Sequence, residues 1–347
     1  MEFLIEYGLF LAKTLTLVVS VLVFVAMVIG MSQRSRNTDR GHIEVRSLND
    51  NIEGITNNLR QMVLDGQTYK QEVKARKKAE KEEKKARKHA RESLARKPRV
   101  YVVDFNGDIA ANEVKQLREE VTAILSVAEP MDEVVVRLES PGGQVHGYGL
   151  AASQLKRIVS KGIPLTVAVD KVAASGGYMM ACIGTRIIAA PFALLGSIGV
   201  VAQLPNFHRL LKKNDVDVEI LTAGEYKRTL TIFGENTERG REKFQAELED
   251  VHALFKEFVS ENRPAVNINE VATGEAWYGR RALSHQLVDE LKTSDEYLYD
   301  RCQQADVYQV RFVDDKNRID KVIDRMTYAI RRLSGREDLD THKPYMF

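Results

Sequence analysis

Short apolar runs alternate with helical patterns from Arg99 onward. Strands are predicted for the runs RVYVVDF, DEVVVRL and PLTVAVD, which are rich in valine and other strand-forming residues. Helices are predicted between them for NEVKQLREEVTAILSVA and VHGYGLAASQLKRIVSK. Strands that alternate with helices pair in parallel through crossovers, so this region predicts an α/β domain of repeated β-α units.

The turn after the second predicted strand, ESPGGQV at residues 139–145, is rich in glycine. Pro141 fixes one backbone torsion, while Gly142 and Gly143 adopt conformations closed to other residues and let a ligand approach their amides. Turns that follow the strands of an α/β sheet are where sites are built. By itself, however, the pattern is more typical of an ordinary tight turn.

Ser175 stands in DKVAASGGYMMACIG, where a strand-like stretch gives way to a predicted helix. A serine in this position serves as a helix N-cap. It serves equally as a nucleophile at a strand-to-helix turn, where the hydroxyl is exposed and the following amides stabilise developing negative charge. The pattern leaves both interpretations open.

A serine nucleophile needs a base, and three side chains are candidates. His146 lies in the first glycine-rich turn and His208 begins a predicted surface helix, but neither has an evident acidic partner. Lys227 lies in LTAGEYKRTLTIFG, a loop after the strand-like VDVEIL, with apolar neighbours on both sides. Lysine becomes a base when burial or a neighbouring cation lowers its pKa, although most lysines are solvated.

The N-terminal region contains eighteen consecutive uncharged residues, 14–31. This length predicts a membrane anchor, because about 20 apolar residues span a bilayer. A cleaved signal peptide would have a shorter apolar region preceded by basic residues, whereas here Glu2 and Glu6 precede the region and three arginines follow it within residues 32–40. Arginines on the C-terminal side predict that the rest of the chain lies in the cytoplasm.

Two helical patterns follow the predicted anchor. The first carries apolar residues at steps of four and three, which predicts a short coiled-coil seam: Leu48, Ile52, Ile55, Leu59 and Met62. The second, residues 70–99, is almost wholly charged and net basic, as in a solvated helical spacer with weak attraction to lipid headgroups. Nucleic-acid binding is the alternative, but no aromatic residues are interleaved for base stacking, so we predict no specific nucleic-acid partner.

Composition limits the remaining classes of function. The 347 residues carry a net charge of only +2, and the two cysteines, Cys182 and Cys302, give no disulfide framework and are predicted to be small buried residues. Neither the P-loop pattern GxxxxGK[ST] nor the zinc pattern HExxH occurs, so no metal or nucleotide cofactor is predicted. The apolar stretch 178–204 contains Arg186 and Pro191 and predicts a helix, a strand and a turn rather than a second membrane span.

The C-terminal third adds a long amphipathic helix, a strand and a basic helix. The amphipathic helix is ERGREKFQAELEDVHALFKEFVSENR, whose apolar face predicts a core or subunit contact. The later segments, VYQVRFV and RMTYAIRRL, pack either on the domain or on a neighbouring subunit, and the sequence does not choose between them.

Five motifs occur together along the chain: ESPGGQV, AASGGYMMA, LLGSIGVV, GEYKR and ATGEAWYGRRALSHQLVDEL. In order and spacing this set resembles the signal peptide peptidase A family of membrane-bound Ser-Lys proteases, and the predicted anchor and spacer are similar to one single-domain branch of it. The resemblance covers residues 99–291. It implies a Clp-protease/crotonase-like fold and a serine endopeptidase in the bacterial inner membrane.

The resemblance also implies roles for individual residues. Ser175 matches the family's nucleophile, Lys227 its general base, and Ser197 a serine that orients the lysine. The resemblance to single-domain members also implies a ring homo-oligomer, in which the lysine of one subunit completes the site of its neighbour. Oligomerisation is therefore expected to be a condition of activity.

The oxyanion hole is expected from the same resemblance. Gly142 and Gly143 fall where the family places one amide donor, and the amide of Gly176 is the expected second donor. Glu139 departs from the family pattern, in which a small or amide residue is common, and this leaves the floor of the substrate groove undefined.

The sequence therefore predicts four regions and one activity. The regions are a membrane anchor at 1–32, a helical spacer at 33–98, a Ser-Lys protease domain at 99–299 and a C-terminal extension at 300–347. The expected substrates are signal peptides or membrane-associated and misfolded polypeptides. Two other classes stay open, a crotonase-like acyl-CoA enzyme and a non-catalytic membrane scaffold. The side of the membrane also stays open, because relatives with a single anchor often face outward.

Overall fold

The computed structural model describes residues 7–20, 41–89 and 96–314. Contacts divide the chain into two compact units, residues 1–42 with 313–347 and residues 43–312.

The first unit contains a helix at residues 7–20, here labelled α1. Within the described ranges, no helix is both long and apolar enough to cross a bilayer. The span predicted at 14–31 continues past residue 20, and the remainder of that prediction lies outside the described residues.

The described part of the second unit alternates strands and helices. Its strands are β1 Gly41–Ser47, β2 Arg99–Asn106, β3 Glu133–Glu139, β4 Leu165–Val169, β5 Val172–Ala174, β6 Arg186–Ala189, β7 Leu194–Gly196, β8 Ala276–Tyr278, β9 Glu290–Leu291 and β10 Asp306–Asp314. The first two residues of β1 and the last two residues of β10 are counted in the first unit. Its helices are α2 Leu48–Val63, α3 Gly66–His89, α4 Val114–Val127, α5 Val145–Ser160, α6 Gly176–Ala181, α7 His208–Lys213, α8 Glu238–Asn262, α9 Ile268–Val271, α10 Gly279–Ser284 and α11 Ser294–Gln304.

Seven strands form the main sheet, in the order β1-β10-β2-β3-β4-β6-β9. The pairs from β10 through β9 are all parallel. A smaller sheet has the order β5-β7-β8, in which β5 is parallel and β8 antiparallel to β7. The α/β class predicted from the alternating pattern is confirmed.

Helices α4 and α5 connect β2 to β3 and β3 to β4, as the sequence predicts, and cover one face of the main sheet. Leu117, Val121 and Ile124 of α4 are at most 1% exposed, and burying each such side chain contributes about 1.5–3 kcal/mol. The opposite face of the sheet carries a smaller core with α11, centred on Tyr297 and Leu298.

Two stretches differ from their sequence patterns. β1 lies inside the predicted spacer, where its apolar content is too low to indicate a strand, and it joins the sheet beside β10. Residues 216–221, predicted to be strand-like, pair with no strand of the described chain, and Leu221 is 92% exposed. Propensity alone does not form a strand, because its backbone groups need a neighbour.

The C-terminal strand β10 pairs with β2, so the segment that the sequence left unassigned extends the main sheet of the same chain. The predicted basic helix that follows it lies outside the described residues. The apolar stretch 178–204 folds into α6, β6 and β7, which confirms that it is not a membrane span.

Helix α2 confirms the helical pattern of the spacer and is attached to the sheet at its first turn. Ser47 caps it by accepting a hydrogen bond from Asp50 N–H. The Asn49 side chain donates to the carbonyls of Cys302 and Ala305 and accepts from Val307 N–H. The remaining seam positions, Ile55, Leu59 and Met62, are exposed.

Both cysteines are reduced, as expected for residues that form no disulfide framework. Cys182 is fully buried, and burial raises the pKa of its thiol to about 12. This thiol therefore stays protonated and behaves as a small apolar core residue.

Candidate active site

Ser175 lies at a strained junction between β5 and α6. Its backbone has φ of 51° and ψ of −119°, a positive φ that few non-glycine residues adopt. The surrounding chain enforces this conformation, because Ser175 N–H donates to the Gly196 carbonyl at 2.8 Å and the Ser175 carbonyl accepts from Met179 N–H at 3.0 Å. Strain of this kind is concentrated at functional sites.

The Ser175 hydroxyl does not cap the helix that it precedes. Although Ser175 occupies the N-cap position of α6, its side chain accepts no capping hydrogen bond, and it has no partner among the described residues. The half-buried hydroxyl is thus available for chemistry. This geometry favours the nucleophile interpretation over the N-cap interpretation.

The glycine-rich segment after β3 contacts the junction directly. We call residues 140–144 the oxyanion turn and residues 174–177 the nucleophile turn. Gly142 has φ of +93°, and a Cβ at this position would lie 2.7 Å from the Ala174 carbonyl and 2.8 Å from Gly176 N. The turns therefore approach too closely for any residue but glycine at position 142.

Ser140 joins the two turns through the backbone. Ser140 N–H donates to the Val172 carbonyl at 2.8 Å, and Ala174 N–H donates to the Ser140 carbonyl at 3.0 Å. These bonds continue the end of β3 alongside β5. These backbone hydrogen bonds thus fix the position of the oxyanion turn relative to the nucleophile turn.

The three glycines predicted for the oxyanion hole have different hydrogen-bonding states. Gly142 N–H donates to Ser140 Oγ at 3.1 Å and is already occupied. The N–H groups of Gly143 and Gly176 have no acceptor among the described residues. Gly143 and Gly176 are therefore the available amide donors, whereas Gly142 shapes the turn.

Ser197 lies next to the nucleophile in register. Ala174 pairs with Gly196 between β5 and β7, and Ser175 and Ser197 each follow these paired residues with positive φ. Ser197 N–H donates to the Glu275 carbonyl at 2.7 Å, and its hydroxyl donates to the Gly274 carbonyl at 3.3 Å. The structure thus brings Ser197 to the edge of the site without a side-chain bond to Ser175.

Lys227 makes no hydrogen bond to Ser175 among the described residues. It lies in the loop between α7 and α8, is exposed, and its side chain makes no hydrogen bond or ion pair with the described residues. The two histidines do not replace it, because His146 is exposed and neither His146 nor His208 is paired with a carboxylate in the described structure.

The segment around Lys227 exposes many apolar side chains. We call residues 200–237 the lysine segment; of its length, only α7 is regular secondary structure. Its apolar side chains that are more than a third exposed are Val201, Leu204, Phe207, Leu210, Val216, Val218, Ile220, Leu221, Tyr226, Ile232 and Phe233. Contiguous exposed apolar patches are characteristic of interaction surfaces.

Glu139, whose position departs from the family pattern, forms an ion pair with Lys171 at 2.9 Å. Both residues line a cavity of about 350 Å³ at the carboxyl ends of β2, β3 and β4. Glu139 shares a strand face with Val135, which packs in the smaller core on the α11 side. The carboxylate therefore belongs to that cavity rather than to the space between the two turns.

Sequence reasoning missed the buried side chains beneath the site. Ser140 and Tyr148 are both 0% exposed, and their hydroxyl oxygens lie 2.6 Å apart. Ser140 stands in the ESPGGQV motif, directly before PGG, so the motif could have drawn attention to it. Nothing in the sequence pattern of α5 distinguishes Tyr148 from an ordinary core residue.

Two family models match the chain. The sequence model described as "Peptidase family S49 N-terminal" matches residues 2–155, and the one described as "Peptidase family S49" matches residues 157–308. The chain belongs to peptidase family S49. This confirms the family predicted from the five motifs.

Two S49 relatives named as proteases align with most of the chain. "Probable protease SohB" of Haemophilus influenzae is 52% identical over 316 residues, which cover 90% of this chain and 89% of that protein. "Putative protease SohB" of Buchnera aphidicola is 46% identical over 319 residues, covering 90% of this chain and 91% of that protein. The S49 chain described here is thus similar to SohB proteases over nearly its whole length.

One solved structure shows a more distant likeness. A mutant of the 1510-N membrane-bound stomatin-specific protease, in complex with a substrate peptide, has a TM-score of 0.41 and 16% sequence identity. The match covers 67% of this chain and 99% of that chain.

Proposed function

We propose that this S49 peptidase is a serine-type endopeptidase with Ser175 as the nucleophile and Lys227 as the general base. The observation that carries the proposal is the strained Ser175. Among residues 7–20, 41–89 and 96–314, neither its hydroxyl nor the nearby N–H groups of Gly143 and Gly176 have a hydrogen-bond partner. A Clp-protease/crotonase-like arrangement of the strands is part of the same proposal.

The proposed reaction has two steps. Neutral Lys227 takes the proton from Ser175 Oγ, which attacks the peptide carbonyl, and the two amides stabilise the oxyanion. The C–N bond then breaks, the amine leaves with the proton held by Lys227, and Ser175 carries the acyl group. In the second step Lys227 takes a proton from water, the resulting hydroxide attacks the ester, and the proton returns to Ser175 as the acid leaves.

Lys227 acts on Ser175 of a neighbouring subunit in this proposal. Its exposure, and the absence of a hydrogen bond to its own Ser175 in the described structure, favour action across an interface. The apolar surface of the lysine segment supplies the area that such an interface would bury, which supports a ring homo-oligomer. Ser197, at the edge of the site, would orient the incoming lysine.

The membrane setting rests on the sequence. Residues 14–31 and the basic residues after them support a single-pass anchor in the bacterial inner membrane, in contact with the lipid bilayer. An enzyme held there is suited to signal peptides and to membrane-associated or misfolded polypeptides. The side of the membrane that the catalytic unit faces is testable with a reporter fused after Phe347.

A mixing experiment tests the dyad and its division between subunits. Ser175→Ala and Lys227→Ala should each abolish cleavage of an apolar fluorogenic peptide. An equal mixture that has exchanged subunits should regain roughly a quarter of wild-type activity, because a quarter of adjacent pairs then combine an intact serine with an intact lysine. Lys161→Ala, at an equally exposed lysine after α5, is the matched control and should stay active.

Labelling by a serine-reactive fluorophosphonate distinguishes the proposal from its alternatives. The label should attach to wild type and not to Ser175→Ala. An assembled wild type that neither cleaves peptides nor takes the label would contradict the proposal. Activity that is lost in both variants but not regained on mixing would place Lys227 in the site of its own subunit.

A further inference from the structure

Tyr148 is buried between the oxyanion turn and the nucleophile turn and contacts both. Its ring packs against Gly176, since a Cβ on that glycine would lie 2.6 Å from Tyr148 Cδ2. Its hydroxyl lies 2.6 Å from Ser140 Oγ, the atom that accepts the hydrogen bond from Gly142 N–H. One side chain therefore links the amide of the oxyanion turn to the start of α6.

The hydrogen atoms of this network have one consistent arrangement. Tyr148 has a single hydroxyl hydrogen, which it donates to the Asp108 carbonyl at 2.8 Å. Ser140 must then donate to Tyr148 Oη, while its own oxygen accepts from Gly142 N–H. Burial raises the pKa of Tyr148, so the hydroxyl keeps its proton. The result is a one-directional series of three hydrogen bonds that ends on a backbone carbonyl.

The loop after β2 supports this series from the other side. A Cβ on Gly107 would overlap the hydroxyls of both Tyr148 and Ser140, so the loop backbone lies directly against them. The same loop accepts Gln144 N–H at the Ile109 carbonyl, at 2.8 Å. Both ends of the oxyanion turn are thus fastened to one loop, and Gly143 lies between the two attachments.

We propose that Ser140 and Tyr148 are positioning residues for the reaction, because they hold the oxyanion turn so that Gly143 N–H faces the carbonyl that Ser175 attacks. The inference rests on the proposed serine peptidase function. Gly142 N–H is held by Ser140, which fixes the peptide unit immediately before Gly143. Neither hydroxyl contacts the substrate, and both act through the backbone.

Tyr148→Phe and Ser140→Ala in the full-length chain test this role. Each should lower kcat about tenfold with KM changed less than about twofold, because loss of an entire oxyanion donor costs about 100- to 1000-fold and here the donor is loosened rather than removed. The double variant should lose no more than Ser140→Ala alone, since both substitutions interrupt one series.

Tyr178→Phe is the matched control. Tyr178 is equally buried, and its hydroxyl donates to the Leu287 carbonyl at 2.9 Å, outside both turns. This variant should lose thermal stability to a similar degree as Tyr148→Phe and keep its kcat. If Tyr148→Phe does not fold, Ser140→Ala decides by the same criterion.

The possible failures are distinguishable. If the kcat of Tyr148→Phe and of Ser140→Ala equals that of Tyr178→Phe while Ser175→Ala is inactive, the network is only structural and the peptidase function stands. If wild type shows no Ser175-dependent cleavage, the peptidase function and the positioning role are both overturned.

Discussion

Gly142 and Ser175 both have positive φ at the candidate site, but for different reasons. Gly142 adopts φ of +93° without steric penalty, whereas Ser175 at 51° does so with a Cβ in place. The bonds from Ser175 to Gly196 and Met179 hold the residue in this conformation. The half-buried hydroxyl is thus held in place by backbone constraint, and glycine at position 142 adds no side chain beside it.

Gly142→Ala should inactivate the enzyme without unfolding it. The added Cβ would come 2.7 Å from the Ala174 carbonyl, so the oxyanion turn must shift away from the nucleophile turn. We expect kcat to fall by about 100-fold or more, comparable to loss of an oxyanion donor. Steady-state kinetics beside circular dichroism measure the two effects separately.

The control for this substitution is Gly149→Ala, in α5. In the described structure no atom beyond the neighbouring helix backbone lies within 4 Å of a Cβ at Gly149, so the alanine should stabilise the helix by about 0.5–1 kcal/mol and leave kcat unchanged. A Gly142→Ala enzyme as active as Gly149→Ala would mean that the turns have room to separate during catalysis.

The sequence predicted these residues better than it predicted their partners. The position of Ser175 between a strand and a helix is a local pattern, and so are the paired glycines at 142 and 143. The occupied state of Gly142 N–H depends on Ser140 and on the fold that presses Tyr148 against it. Such contacts join elements that are separate in the sequence, so no local pattern of residue spacing predicts them.

Helix α4 carries a carboxylate that is out of place on an otherwise apolar face. Glu120 is 4% exposed and accepts a hydrogen bond from Phe312 N–H of β10 at 2.8 Å. Burial raises the pKa of Glu120 from 4.5 to about 7. The hydrogen bond opposes this shift only in part, so the ionised form strains the junction of α4 with β10.

The stability of the folded unit should therefore depend on pH through Glu120. The folded state binds this proton more tightly than the unfolded state, so stability is highest below about pH 4.5 for this group and falls as pH rises to about 7, by roughly 3 kcal/mol. Glu120→Gln keeps the acceptor for Phe312 N–H and removes the charge. It should be more stable than wild type at pH 8 and show a flatter profile in urea unfolding.

Glu119→Gln, on the exposed side of the same helix, separates this effect from a general loss of negative charge. It should reproduce the wild-type pH profile. Equal slopes for wild type and Glu120→Gln between pH 5 and 8 would show that Glu120 does not set the dependence.

The unit of residues 43–312 is organised around a main sheet whose strands come from both sides of the boundaries visible in the composition. The predicted limits at residues 98 and 300 follow changes in charge and texture. The main sheet, however, takes β1 from before the first limit and β10 from after the second. Composition registers solvent exposure and charge, whereas strand order is set by packing between segments far apart in sequence.

Asn49 is the side chain that ties these outer segments together. Asn49→Ala would remove two donors from the carbonyls of Cys302 and Ala305 and the acceptor of Val307 N–H. At about 1 kcal/mol for each bond, we expect a loss of roughly 2–3 kcal/mol and faster limited proteolysis near α2. Asn51→Ala, exposed in the same helix, should be cut at the wild-type rate.

The position of β10 between β1 and β2 also constrains the order in which the strands pair while the chain is being synthesised. Strands β2, β3, β4 and β6 emerge in an order that lets each parallel neighbour dock soon after it is made. β2 nevertheless keeps an open edge until synthesis reaches residue 306, and β1, made first, has no place to dock until then. In the main sheet, the strand made first is thus among the last to be incorporated, and until then the edge of β2 stays available for pairing with other chains.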